Sequence, residues 1–220
     1  ALRLLSGYLS PRSLPALQQG LAADDPLLRL AAAGTAAELP PPERLSLLRP
    51  LLRDPVLAVR LEVVQPLAGV PAPLWNPAER SALADVLAEY RAAQQISADQ
   101  PEGQLNLGNV QALLGEPEAA LSRYDQAIRL APHAIPAYVN RADLLRALGR
   151  EGEAEASLRD ALARAPGSAD VHYALGLSLV RQKRMPEAVS ALARATALAP
   201  ERSRYAVAYV LALRAVGEDA

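Results

Sequence analysis

Pro132, Pro166 and Pro200 recur at one constant interval, each preceded by an alanine, in RLAP, ARAP and ALAP. The same interval relates Ala120, Ala154 and Ala188, then Ala127, Ala161 and Ala195, then Gly108, Ala142 and Gly176, and finally Tyr124, Leu158 and Leu192. Several series kept in step by one period mean that a single supersecondary unit is repeated and stacked, so the chain builds a quasi-one-dimensional array.

Composition says what the unit is made of. Ala (46) and Leu (40) supply 86 of the 220 residues while Gly supplies 12, a mixture that favours helix. A period of this length accommodates two antiparallel helices of about 13 residues with their turns. Small residues belong where the two helices cross, so Gly108, Ala142 and Gly176 in first helices are expected to face Ala120, Ala154 and Ala188 in second helices. Leu107, Leu145, Leu175 and Leu179, with Tyr124, Leu158 and Leu192, fill the space around the crossing. Each repeated proline ends a second helix, because it lacks an amide donor and disfavours helix in the residue before it. Gly115 and Gly149 mark the turns inside the first two units, and Pro117 and Pro186 open second helices, where a missing amide costs little. The fold class expected is all-α, a right-handed α-α superhelix of the helical-repeat solenoid type.

These residues resemble the tetratricopeptide repeat, a 34-residue helix–turn–helix with small and bulky residues in these places. Of eight signature places, residues 101–134 fill six and residues 135–168 and 169–202 fill seven each; the departures are Gln104, Gln111, Arg141 and His172. The resemblance implies a tetratricopeptide domain over 78–217. It begins with a leading helix over 79–96, whose Tyr90 and Ala93 take the places of Tyr124 and Ala127. It ends with a capping helix over 203–217, in which Tyr205, Tyr209, Leu211 and Leu213 point inward while Arg204 and Arg214 face water.

Residues 1–75 carry another pattern. Asp25-Pro26 is followed by LLRLAAAG and Asp54-Pro55 by VLAVRLEVVQPLAG, which resembles HEAT repeats. That resemblance implies that Arg60, and less clearly Arg29, reaches toward a neighbouring aspartate. The 29-residue interval is shorter than the roughly 40 of that family. Pro40, Pro41 and Pro42 break the first pair, and Pro71 to Pro77 with Trp75 form the junction. HEAT-like units followed by tetratricopeptide units also resemble the C-terminal part of bacterial multihaem c-type cytochrome proteins. This second resemblance implies an extracytoplasmic scaffold joined to a redox domain or a cytochrome-assembly factor; without it a cytoplasmic protein is expected. The CxxCH motif of those proteins is absent from this chain.

Several chemistries are excluded by what the chain lacks. With no cysteine it has no disulfide, thiolate metal site or covalently attached haem. His133 and His172 lie in different repeats and give no metal-ligand spacing, His133 being expected in solvent. No phosphate-binding glycine loop or nucleophile elbow occurs. Asp24/Asp25 and Glu151, Glu153 and Glu155 read as solvated helix starts favoured by the dipole. A non-catalytic protein without cofactor follows. The 23 basic and 24 acidic side chains are dispersed, which gives no nucleic-acid stripe, and the longest apolar run is the eight residues Ala206 to Leu213, too short for a membrane span. The chain begins at Ala1, with Leu2, Leu4 and Leu5 reading as mid-helix; this points to a piece of a longer protein whose apolar end face supports self-association.

The remaining candidate is the concave face lined by first helices, which the tetratricopeptide resemblance implies as the binding surface for a peptide or partner segment. Stepping by three or four away from the packing places gives Leu105, Asn106 and Asn109, then Val139, Asn140, Asp143 and Arg146, then Tyr173, Leu177, Val180 and Arg181. An asparagine amide both donates and accepts, matching the unpaired groups of an extended backbone. Asn109 and Asn140 also occupy the asparagine places of the carboxylate clamp of chaperone-binding co-chaperones, but the basic places hold Leu105, Asp170 and Ala174, so clamp function is not expected. Arg141 stands where Leu107 and Leu175 point into the seam. Its stem must pack while its guanidinium reaches water or a carboxylate, or else the local packing shifts.

Overall fold

The computed structural model describes residues 14–217, and among them all regular structure is helical. Leu2, Leu4 and Leu5 lie outside the described residues. Clustering of the backbone separates two compact units, the first holding the described residues through Ser97 together with Asn109–Glu116, the second holding Ala98–Gly108 and residues from Pro117 onward.

The first unit contains α1 (Leu14–Leu21), α2 (Pro26–Ala36), α3 (Pro41–Leu48), α4 (Leu57–Glu62), α5 (Val64–Ala68) and α6 (Pro77–Ile96), with 3-10 turns over Arg49–Arg53 and Ala72–Leu74. Asp25 starts α2 by accepting from the Leu27 amide at 2.8 Å, and Pro26 occupies the first turn, where its missing donor is harmless. Pro66 explains the break between α4 and α5: it cannot donate to the Glu62 carbonyl, and the chain bends at Val63. Asn76 and Glu79 form a reciprocal capping box that opens α6. Leu17, Leu48, Val59, Val63, Val64 and Leu67 are fully buried, and Val86 and Tyr90 of α6 join the same core.

Two arginines tie successive helices of this unit together. Arg29 grips Asp54 with two bonds, Nε to Oδ2 at 2.7 Å and Nη2 to Oδ1 at 2.9 Å. Arg60 grips Glu89 in the same forked way, at 2.7 and 2.9 Å, and donates to the Asp54 carbonyl at 2.7 Å. Both arginines were expected to reach a neighbouring aspartate: Arg29 does so at the Asp54 carboxylate, whereas Arg60 meets Asp54 only at its backbone carbonyl and takes its carboxylate partner, Glu89, from α6.

α7 (Pro101–Leu113) is divided between the units after Gly108; α8 (Pro117–Leu130), α9 (Ile135–Ala147), α10 (Glu151–Arg164), α11 (Ala169–Arg181), α12 (Met185–Leu198) and α13 (Ser203–Ala215) follow in the second. First helices start at 101, 135 and 169 and second helices at 117, 151 and 185, so the repeat interval of the sequence is reproduced in the backbone. Ala120, Ala154 and Ala188 are buried at the crossings as expected. The tightest approach, however, is to the bulky residue one turn further on. A Cβ on Gly108 would lie 2.7 Å from the Tyr124 ring, and one on Gly176 would lie 2.6 Å from Leu192 Cγ. Glycine is therefore needed at these two crossings because the backbone itself is the contact surface.

A further repeated device was not foreseen. Gln104 Nε2 donates to the Ala98 carbonyl at 2.7 Å, Tyr138 Oη to the Pro132 carbonyl at 3.2 Å, and His172 Nε2 lies 2.9 Å from the Pro166 carbonyl. Donors and acceptors both recur at the repeat interval, so one position in every repeat satisfies the same orphan carbonyl. A carbonyl only accepts, which requires the His172 Nε2 to carry the proton. Gln104 and His172, departures by residue type, thus perform the same task as Tyr138.

The turn within each pair repeats as well. Gly115 and Gly149 adopt φ of +76° and +74°, and Lys183, at the equivalent place one repeat after Gly149, adopts +60° without being glycine. In α13, Tyr205 and Leu213 are buried and Tyr209 is half-buried as expected, but Leu211 is 60% exposed and does not pack inward. Val210 occupies the place of Gly108, Ala142 and Gly176, so the small residue of the three preceding first helices is replaced by a branched one in α13.

Replacing Gly176 by Ala should lower stability by about 1–3 kcal/mol through overpacking, whereas Gly152→Ala, where an added Cβ meets nothing within 4 Å, should raise it by up to about 1 kcal/mol. Paired urea melts check the opposite signs. Lys183→Gly should add about 1 kcal/mol by relieving the left-handed backbone, read as a higher denaturation midpoint at unchanged slope.

Candidate functional site

The first helices of the second unit have two unlike faces. Leu107, Ala142, Leu145, Leu175 and Leu179 are sealed in the seam. Rotated from them by the helical period, Leu105, Asn106, Val139, Asn140, Tyr173, Leu177 and Val180 are half-buried, and Asp143, Arg146 and Arg181 lie further toward solvent. Asn109, also half-buried, falls in the stretch belonging to the first unit. Val139 and Val180 pack one side against the core of the second unit.

Tyr173, Arg181, Arg146 and Asp143 are among the candidate residues engaged by the chain itself. Tyr173 packs on Tyr205 of α13, ring centroids 4.6 Å apart and planes tilted by 34°. Arg204 lies over both rings, 5.5 Å from the Tyr173 centroid and 5.0 Å from that of Tyr205. Arg181 donates through Nε and Nη2 to Glu151 Oε1 at 3.0 and 2.8 Å, where Ser178 Oγ also donates at 2.7 Å. Arg146 and Asp143 sit 3.8 Å apart at i, i+3, an exposed pair worth a few tenths of a kcal/mol. Asp170 accepts from Arg202 at 2.9 Å, from Arg204 at 3.1 Å and from the Tyr205 hydroxyl. Where the carboxylate clamp needs a cation, this chain places an anion already satisfied by two arginines.

Two residues on this face were missed. Val207 and Leu211 lie one repeat after Tyr173 and Leu177 and are 57% and 60% exposed. The interval itself was the signal, outweighed by the expectation that a capping helix hides its apolar residues. Leu105, Val139, Tyr173 and Val207 therefore form one apolar series at a fixed place in successive first helices.

Arg141 resolves through its stem: the side chain is 25% exposed and Nε donates to Asp125 at 2.8 Å. His133 is exposed as expected, and His172 is spent on the Pro166 carbonyl. The buried Tyr124 phenol is pushed up to about 12 by burial and stays neutral as a packing residue.

Of the three glutamates read as solvated helix starts, Glu153 is exposed in the first turn of α10 as expected, whereas Glu155 is a correction. Glu155 is 11% exposed and accepts from Arg184 at 2.6 Å, Gln182 at 2.9 Å and Arg159 at 2.8 Å. Glu187 accepts from both nitrogens of Arg184, at 2.7 and 2.6 Å, and from Arg159 at 3.4 Å. Two arginines and two glutamates close a ring that joins α10 to the turn and second helix of the following repeat. Burial pushes the Glu155 carboxyl up, but the bonds from Gln182 and Arg159 and the charges of Arg159 and Arg184 more than reverse it, leaving it below the usual carboxylate range. Among the described residues no three or more histidine, aspartate or glutamate side chains gather as a metal site, and no helix is long and apolar enough to cross a membrane.

Comparison with known proteins agrees with this geometry. A family model for the tetratricopeptide repeat, TPR_16, matches residues 139–203. No curated protein matches the chain. Among solved structures it is similar to a crystal structure of MamA, with 19% identity over 65% of this chain and 86% of that one and a TM-score of 0.53. It is also similar to TTC0263, a thermophilic TPR protein in Thermus thermophilus, with 23% identity over 91% of this chain and 98% of that one and a TM-score of 0.54. Among the described residues the fold is all-α, and the helix pairs of the second unit are of the tetratricopeptide type.

The lowered carboxyl of Glu155 fixes the sign of one pH effect. Its contribution is complete above the unfolded glutamate value of about 4.3 and is lost as pH falls through the lower folded value. Glu155→Gln should cost about 1–3 kcal/mol at pH 7, and the gap between parent and variant should narrow as pH falls below the unfolded glutamate value, read by chemical denaturation.

Proposed function

We propose that this chain is a non-catalytic protein-interaction scaffold that holds a segment of a partner protein against the first helices of its second unit. The carrying observation is the apolar series Leu105, Val139, Tyr173 and Val207, left partly in solvent while the opposite face of the same helices is sealed. Asn106 and Asn140 stand beside this series with amides suited to an extended backbone. Toward α13 the lining changes from Asn and Asp to Leu177 and Leu211, which favours a segment polar at one end and apolar at the other. Of the residues proposed from sequence, Leu105, Asn106, Val139, Asn140, Leu177 and Val180 form the binding set in this reading. Arg181 serves the seam with α10, and Tyr173 contributes only the part of its ring not covered by Tyr205.

The first unit is read as HEAT-like, an interpretation supported by the forked pairs Arg29–Asp54 and Arg60–Glu89 that link successive helices. It supplies a packed helical body and no catalytic constellation.

Affinity capture from the source organism, with parent and variant run in parallel, tests the reading. Asn140→Ala with Leu177→Ala should reduce recovery of the captured partner by about tenfold or more while the melting temperature stays within a few degrees. Tyr173 is left intact in this variant because removing it would disturb the packing of α13. Undiminished recovery overturns the assignment of this face.

A further inference from the structure

The first unit contains a cavity of about 460 Å³ lined chiefly by Trp75, Leu83, Leu87, Leu113 and Leu114, with Arg80 as its one charged lining residue. Its volume lies within the range of small-molecule sites, about 300–1,000 Å³. Trp75 is buried and its indole Nε1 already donates to the Val70 carbonyl at 3.2 Å, so the ring offers the cavity only apolar surface. Leu113, 45% exposed, leaves apolar area in solvent at the same place.

Arg80 differs from its neighbours. Arg29, Arg49, Arg60 and Arg91 each pair with a carboxylate. Arg80 has no carboxylate partner among the described residues; its guanidinium makes a single long bond, 3.4 Å, to the Trp75 carbonyl. Arg80 is exposed, so it stands at the solvent-facing rim of the cavity; apolar walls with one carboxylate-free guanidinium at the rim are complementary to a molecule with an apolar body and one negative charge at its end. The planar guanidinium fork matches a carboxylate, and a dianion such as a phosphate ester would call for a second cation that the lining lacks.

We propose that this cavity is a binding site for small apolar monocarboxylates, the tail packing on Trp75, Leu83 and Leu87 and the carboxylate pairing with Arg80. The site is independent of the partner-binding face of the second unit.

Trp75 is the only tryptophan in the chain, so its emission reports occupancy directly. The full chain is titrated with octanoate, with 3-phenylpropionate and with 1-octanol, the last having an equal apolar tail and no charge. At least one carboxylate should shift Trp75 emission saturably and bind at least about tenfold more tightly than octanol, and Arg80→Gln should remove that preference while circular dichroism is unchanged. The proposal is overturned if neither carboxylate saturates, if octanol binds equally well, or if the preference survives in Arg80→Gln. Ala84→Phe, which fills the cavity without adding a second indole, should abolish the response to the carboxylate; retention of that response places binding elsewhere and also overturns the site.

Discussion

The crossing of the paired helices governs the second unit. At Gly176 and Gly108 the partner side chain lies closer to the helix axis than a methyl group would allow, so interhelical distance is set by backbone against Leu192 and Tyr124. Once that distance is fixed, the residues one face round, Leu145, Leu175 and Leu179, are driven into the seam, and those rotated further, from Leu105 to Leu177, are left toward solvent. The candidate binding face is thus a by-product of the packing face. At α13, Val210 stands in the place of the small residue.

Arginine supplies the second organising interaction. The chain has 22 arginines and one lysine; in the first unit Arg29 and Arg60 fork onto the distant Asp54 and Glu89, and in the second Arg184 forks onto Glu187 three residues on and adds a single long-range bond to Glu155. A guanidinium addresses two carboxylates, or a carboxylate and a carbonyl, at once, which an ammonium does with less geometric definition. This lets one side chain link elements distant in sequence. Arg80, beside the cavity of the first unit, is among the arginines without such a carboxylate.

Legibility in the sequence followed the range of the forces. The helix starts at 101, 135 and 169 and at 117, 151 and 185 were readable because steric requirements recur at a fixed interval, and Pro117 and Gly149 declare their backbone geometry locally. The burial of Glu155 was not readable, since it depends on Gln182 and Arg184, which lie in the next repeat and belong to no recognised pattern. Gln111 shows the same limit: it stands where Leu145 and Leu179 pack, and its Oε1 is buried without a hydrogen-bond donor among the described residues. The cavity beside Trp75 brings 68–87 together with 113–115, a juxtaposition for which the irregular spacing of the first hundred residues offered no signal. On the candidate face, position was readable from periodicity, but the engagement of Tyr173 by Tyr205 and of Arg181 by Glu151 was not.

Glutamine, tyrosine and histidine share few properties, yet Gln104, Tyr138 and His172 each meet a carbonyl two residues beyond the end of the preceding helix. Selection at this place acts on reach and proton-donating capacity, not on volume or hydrophobicity. Substitution matrices weigh such exchanges as dissimilar, so a repeat whose junction is chemically intact can look degenerate when aligned letter by letter. Arrays of this kind extend further along a chain than their consensus suggests, and an inventory of donors against helix-terminal acceptors is the more faithful ruler for finding where they end.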